Sequence, residues 1–124
     1  MLSPKLEVVI TPNRIAVRNV GSGATATADA PFSCSHLLAD DIDILEHAAQ
    51  GAMKQVVGGG FLPSYPIVEV STGGRPLHQV ERKVIRDALA NAGASKVHFA
   101  PSVTDVDEQA DARAAYIAAA KRRR

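Results

Sequence analysis

The stretch PIVEVSTGGRPLHQVERKVIRDALANAGASKVHF, residues 66–99, decides the fold. Ile67-Val68-Glu69-Val70 is a short apolar run between Pro66 and Gly73-Gly74, which reads as a buried strand rather than a helix. After Pro76 the spacing becomes helical, and Leu77, Val80, Val84, Ala88 and Ala92 are expected to share the buried face. Gly93 supplies a stop, because helices commonly end on a residue with positive φ. Lys96-Val97-His98-Phe99 then resumes an extended pattern. A strand, a helix of this length and a second strand form a parallel pair with a right-handed crossover.

Outward from this unit, composition limits what the chain can be. Its 124 residues are 46% hydrophobic, as expected of one folded domain, with residues 1–5 and 121–124 as flexible ends. Aromatic residues make up 4%, so the core must be built from Val, Ile, Leu and Ala, and platforms for stacking bases are scarce. A net charge of +1 gives no electrostatic case for nucleic acid or an anionic membrane. One cysteine, Cys34, cannot form an internal disulfide, which fits a reducing compartment. No apolar run approaches the roughly 20 residues needed to span a bilayer, and no apolar leader follows Met1. A soluble, cytoplasmic protein is expected.

Upstream, Leu6–Ile10 reads as a strand, Thr11-Pro12-Asn13-Arg14 as a turn and Ile15–Val20 as an antiparallel partner. Gly21-Ser22-Gly23 is a second turn, and Ala24–Phe32 alternates weakly, as an edge strand would. Leu38, Ile42, Leu45, Ala49, Ala52, Met53 and Val56 recur at helical intervals, with Asp40, Asp41 and Asp43 at the amino end, where the helix dipole favours negative charge. Gly58-Gly59-Gly60 ends this helix. Beyond Phe99, Ser102 or Thr104 is positioned to cap a last, Ala-rich helix over Asp111–Lys121, followed by the basic tail Lys121–Arg124.

The order is β-β-β-α-β-α-β-α, the plan of the ribonuclease H-like motif. That motif implies a mixed five-stranded sheet in order 3-2-1-4-5, with the second strand antiparallel and helices on both faces. Phe61-Leu62-Pro63-Ser64, the run Gln79-Val80-Glu81-Arg82-Lys83-Val84-Ile85-Arg86 and Ala92-Gly93-Ala94-Ser95-Lys96-Val97 together resemble the first half of MreB, the bacterial actin-like rod-shape family. Leu38-Ala39-Asp40 and Leu45-Glu46-His47 also resemble the corresponding stretch, so the likeness covers residues 38–99. Gln79, Val80, Glu81, Arg82 and Gly93 carry it most clearly. The resemblance implies an actin-like half-domain and a role in cell shape or cytoskeletal organisation.

The departures from that family concern its ATP chemistry. The family's first hairpin carries an Asp-x-Gly-Thr phosphate loop, whereas this chain reads Val8-Val9-Ile10-Thr11-Pro12-Asn13. Magnesium is a hard cation that favours oxygen ligands, and the carboxylate that would serve it is missing. Pro12 also lacks the N–H that a phosphate cradle uses. After Phe99, where the family places an acidic residue that positions water, the chain reads Ala100-Pro101-Ser102. The family's second half, with its adenosine pocket, has no counterpart here. Nucleotide is therefore not expected as a cofactor.

Other chemistry is weighed residue by residue. Glu7, Asp40 and Glu69 occupy the elements from which this fold holds two metal ions in polynucleotide cleavage, yet each is equally explained as an outward-facing or helix-capping charge. Gly58-Gly59-Gly60 and Gly73-Gly74 match neither a P-loop nor a dinucleotide fingerprint and read as flexible loops. His36, His47, His78 and His98 lack metal-ligand spacing. Cys34 beside Ser35-His36 is a nucleophile pair in sequence only, and Lys121–Arg124 reads as a solvated tail. Two function classes stand: a non-enzymatic interaction module working through a protein partner or self-association along the edge strand, and a metal-dependent nuclease or small-phosphate binder.

Overall fold

The computed structural model describes residues 4–34, 37–57 and 66–106. Seven elements follow in chain order: β1 (Lys5–Thr11), β2 (Arg14–Asn19), β3 (Thr25–Asp29), α1 (Ile42–Val57), β4 (Ile67–Ser71), α2 (Gln79–Asn91) and β5 (Lys96–Phe99). They build one five-stranded sheet in the order β3-β2-β1-β4-β5. β2 runs antiparallel to both β1 and β3, while β4 is parallel to β1 and β5. This is the order and mixed topology that the ribonuclease H-like plan implies. The expected last helix, the basic tail and the segment Gly58–Tyr65 lie outside the described residues. Lys5, expected in a flexible end, begins β1 instead, and the Pro4 carbonyl accepts the Ile67 N–H at 2.9 Å.

Period-two alternation fixes which side of the sheet is covered. Leu6, Val8 and Ile10 of β1, Ile15 and Val17 of β2, Ala26 of β3 and Val68 and Val70 of β4 are all buried on one face. Sliding any strand by one residue would turn its apolar set to solvent, so this pattern pins the register. Both described helices pack on that same face, where Leu45, Ala49, Ala52, Ile85, Ala88 and Leu89 join the core. The physical reason is directional. β3 is parallel to β4, and the crossovers from β3 to β4 and from β4 to β5 step the same way across the sheet, so crossovers of one hand put both helices on one side. Helices on both faces are expected; among the described residues both helices lie on this one, and the expected last helix lies outside those residues.

Local chemistry explains the element boundaries. Pro12 and Asn13 form a two-residue turn between β1 and β2, with Asn13 at φ 57°, a conformation that asparagine tolerates better than most residues. Asp41 caps α1, its Oδ1 accepting the Ile44 N–H at 3.1 Å; Leu38, expected within that helix, precedes it. At the end of α2, Gly93 has φ 121°, the Ala94 N–H reaches the Leu89 carbonyl at 3.0 Å and the Gly93 N–H reaches Ala90 at 3.1 Å. That pair of bonds is the Schellman closure expected of Gly93.

Two sequence expectations are corrected. The buried stripe of α2 is Glu81, Ile85, Ala88 and Leu89, and Val80 is 57% exposed. Leu77 is buried but precedes the helix, so extending the helical phase back from it rotated the stripe. Ser102 and Thr104 do not cap a helix within the described residues. Thr104 accepts the Leu77 N–H through its carbonyl at 2.9 Å and Val106 donates to the Leu77 carbonyl at 2.9 Å, which makes this segment extended and pairs it with Leu77.

Candidate functional site

In open α/β sheets ligands gather beyond the carboxyl ends of the parallel strands. The two central ones here belong to β1 and β4, and internal hydrogen bonds tie both. After β1, the Asn13 N–H donates to Ser33 Oγ at 3.0 Å and the Ser33 N–H returns to Asn13 Oδ1 at 2.9 Å. Ser33 Oγ in turn donates to the Leu38 carbonyl. The hairpin end that would cradle a phosphate is thus laced to the segment leading into α1. After β4, Thr72 is buried and its Oγ1 donates to the Arg75 carbonyl at 2.6 Å, while the Arg75 N–H reaches the Thr72 carbonyl at 3.2 Å. Gly73 and Gly74, at φ 62° and 88°, are the central residues of this turn, which demands positive φ at both. The Gly73-Gly74 pair is therefore a tight turn rather than an open loop.

The next element, the first turn of α2, holds a buried carboxylate, Glu81, which carries part of the resemblance but which the sequence does not mark as buried. Glu81 is 1% exposed. Its Oε2 accepts the Leu38 N–H at 2.7 Å and the Ala39 N–H at 3.4 Å, and its Oε1 accepts the His78 N–H at 3.0 Å. Three backbone donors from two segments converge on one side chain, which is how a buried charge is made tolerable. The spacing His78-x-x-Glu81 matches a capping box with histidine where serine or threonine usually stands, and that substitution hid the signal. Arg82, one residue on, leans the other way. Its Nε lies 2.6 Å from Asp105 Oδ1, its Nη2 donates to the Val103 carbonyl at 3.4 Å, and its guanidinium stacks 4.8 Å from the centre of the Phe99 ring. Arg86 approaches the same ring at 5.6 Å. Of the resemblance residues, Gln79 and Val80 face solvent, while Glu81, Arg82 and Gly93 have structural partners.

The carboxylates considered for metal do not assemble. Glu7 and Glu69 sit opposite each other on β1 and β4, with Arg18 on one flank and His98 on the other, all on the sheet face away from the helices. Arg18 lies 3.6 Å from Glu7. Asp40 precedes α1 and is exposed, its N–H bonded to the Phe32 carbonyl at 2.8 Å. Alternation is the cause: Leu6 and Val8 turn toward the helices, so Glu7 turns away. Among the described residues no group of three or more His, Cys, Asp or Glu side chains could hold a metal ion. Cys34 is exposed and its Sγ accepts the Leu37 N–H at 3.3 Å; its sequence neighbours Ser35 and His36 lie outside the described residues.

Surface grooves among the described residues include two of similar size. One, of about 620 Å³, runs between β3 and α1 and is lined by Ala28, Ala30, Ile44, His47, Ala48 and Gly51 among others. Asp29 stands at its rim, and Arg14 Nε, 2.7 Å away, holds that carboxyl below the ordinary range through its hydrogen bond. The other, of about 640 Å³, lies along α2 and is polar, lined by Gln79, Arg82, Lys83, Arg86, Asp87 and Asp105. Among the described residues no helix is long and apolar enough to cross a membrane. Comparison of the sequence with protein-family models and with curated proteins finds no match in either.

Proposed function

We propose that this chain is an actin-like half-domain that works without nucleotide, as a non-enzymatic interaction module of the MreB kind in a cytoplasmic, cell-shape or cytoskeletal setting. The observation that carries the reading is the state of the carboxyl edge. The β1–β2 turn is laced to Ser33 and the β4 turn is closed on Thr72. The carboxylate of Glu81, the acidic residue of the resemblance run, is saturated by three backbone N–H groups. The polar groups at this edge are taken up by bonds within the domain, and the carboxylates that the family uses for magnesium and water have no counterpart in the sequence. What remains for recognition is surface: the outer edge of β3 and the exposed side of α2. Isothermal titration of the full chain with ATP and magnesium, and separately with manganese, is expected to show no heat. Micromolar binding of nucleotide would overturn the reading, and binding of manganese alone would favour the nuclease alternative.

A further inference from the structure

We infer that the partner of the β3 edge is a second copy of this chain, joined through an antiparallel β3–β3 pair with the two α1 helices packed over it. The inference rests on the interaction-module reading and supplies its partner.

The strand edge comes first. The Asn19 N–H bonds the Ala24 carbonyl at 2.8 Å and the Ala30 N–H bonds the Asn13 carbonyl at 3.0 Å, which brackets the β2–β3 ladder. With Arg14 opposite Asp29 and Arg18 opposite Thr25, the strand's bonds to β2 are made by Ala24, Ala26, Ala28 and Ala30. The N–H and C=O groups of Thr25, Thr27 and Asp29 therefore point to the open edge, where no strand pairs among the described residues. A two-fold axis at Thr27 sets Thr27 against its own copy and Thr25 against Asp29, for about six interchain hydrogen bonds. The side-chain pairs this creates, threonine on threonine and threonine hydroxyl on carboxylate, are favourable cross-strand neighbours.

The helix layer fits the same axis. α1 packs on β2 and β3 and not on the strands beyond, so it lies about half a strand spacing inside β3. With strands about 4.8 Å apart, the two α1 axes fall roughly 10 Å from each other, at the upper end of the 8–10 Å range of packed helices. The level matches too. Asp29 and Ala30 line the groove beside Asp43 and Ile44, while Asn19, the partner of Ala24, donates to the Val56 carbonyl at 3.0 Å. Thr27, midway, stands level with the middle of α1. Around that midpoint the groove-lining positions of α1 are nearly palindromic. Asp43 meets Gln55 of the copy, and His47 meets Gly51.

Gly51 is what singles out this face. A glycine inside a helix weakens it relative to alanine. A Cβ built there has nothing within 4 Å, so no packing within the described chain requires its absence. The copy's helix, brought close across the two-fold axis, would require it. Antiparallel packing also sets Asp43 in the first turn of one helix toward Lys54 in the last turn of the other.

Light scattering and analytical ultracentrifugation of the full chain over a concentration series test this. The expected result is a concentration-dependent species of twice the chain mass. Gly51→Gln, which improves helix propensity, and Thr27→Pro, which removes an N–H that β2 does not use, should each give a monomer with an unchanged far-ultraviolet circular dichroism spectrum. Thr27→Pro blocks the strand pairing and Gly51→Gln the helix contact, so if one variant fails to fold the other decides. A chain monomeric throughout the series overturns the dimer, as does a dimer that survives Gly51→Gln. Neither result touches the absence of nucleotide heat, which tests the interaction-module reading separately.

Discussion

Replacing Glu81 with glutamine keeps the shape of the side chain and removes its charge. In the native domain the carboxylate receives the Leu38 and His78 N–H groups at 2.7 and 3.0 Å and a longer contact from Ala39 at 3.4 Å. Glutamine retains one oxygen and turns an NH2 group toward donors, so at least one strong bond becomes a donor–donor clash. A hydrogen bond to a charged group contributes about 1.5–3 kcal/mol and an orphaned buried donor costs about 1–3 kcal/mol, which puts Glu81→Gln at about 2–4 kcal/mol. Glu81→Leu leaves every donor unpaired and should cost about 3–5 kcal/mol. Urea unfolding followed by circular dichroism measures both, and at about 3–5 °C per kcal/mol the melting temperatures should fall visibly. The Leu38 amide proton, donated to a carboxylate, should resonate downfield in the native protein and move upfield in each variant. Stabilities of both variants within about 0.5 kcal/mol of wild type would refute the clamp, since that is the range of an ordinary surface substitution.

Three further outcomes are expected. Ile85→Ala should cost about 2–5 kcal/mol, as cavity formation in a core does, while Val80→Ala stays within about 0.5 kcal/mol, and equal costs in urea unfolding would return the buried stripe to Val80. Gly93→Ala should destabilise by about 1 kcal/mol or more, because φ 121° closes the Schellman turn and L residues rarely adopt it; an unchanged midpoint would mean that the turn relaxes freely. The Asp29 carboxyl, held low by its hydrogen bond from Arg14, should titrate by NMR below an ordinary aspartate, and Arg14→Gln should raise it. The sign follows from that lowering. The pair's small contribution is present above the unfolded aspartate range and fades as pH falls through the native value, so acidification should loosen the β2–β3 end; a midpoint at or above the ordinary value would contradict it.

Strand order was legible because Leu6-x-Val8-x-Ile10 and Ile15-x-Val17 alternate cleanly and because Pro66 and Gly93 punctuate the crossover. The phase of α2 was less so. Leu77 is as apolar as any core residue, yet it sits in an extended bridge before the helix, and one misplaced starting point turned Val80 inward. Glu81 belongs to the resemblance run but carries no sequence mark of burial, because a charged residue in a helical run reads as solvent-facing until the N–H groups it satisfies, two of them on the segment at Leu38 and Ala39, are in place. Glu7, Asp40 and Glu69 illustrate the opposite limit. Glu7 and Glu69 lie on the expected strands and Asp40 just ahead of α1, but a carboxylate's face follows from its neighbours' burial, and the apolar residues beside Glu7 and Glu69 take the helix side.

The first turn of α2 also bears on how the domain assembles in time. Glu81 fastens residues 38–39, in the first crossover ahead of α1, while Arg82 fastens residues 103–105 from after the second. Such distant segments meet only after the intervening chain has closed large loops, an entropic cost that local helix and hairpin contacts do not carry. Both fastenings are therefore expected to form after the rate-limiting step of folding. Weakening Glu81 should leave the refolding rate nearly constant and speed unfolding, so this turn would act as the latch that sets how long the native state lasts.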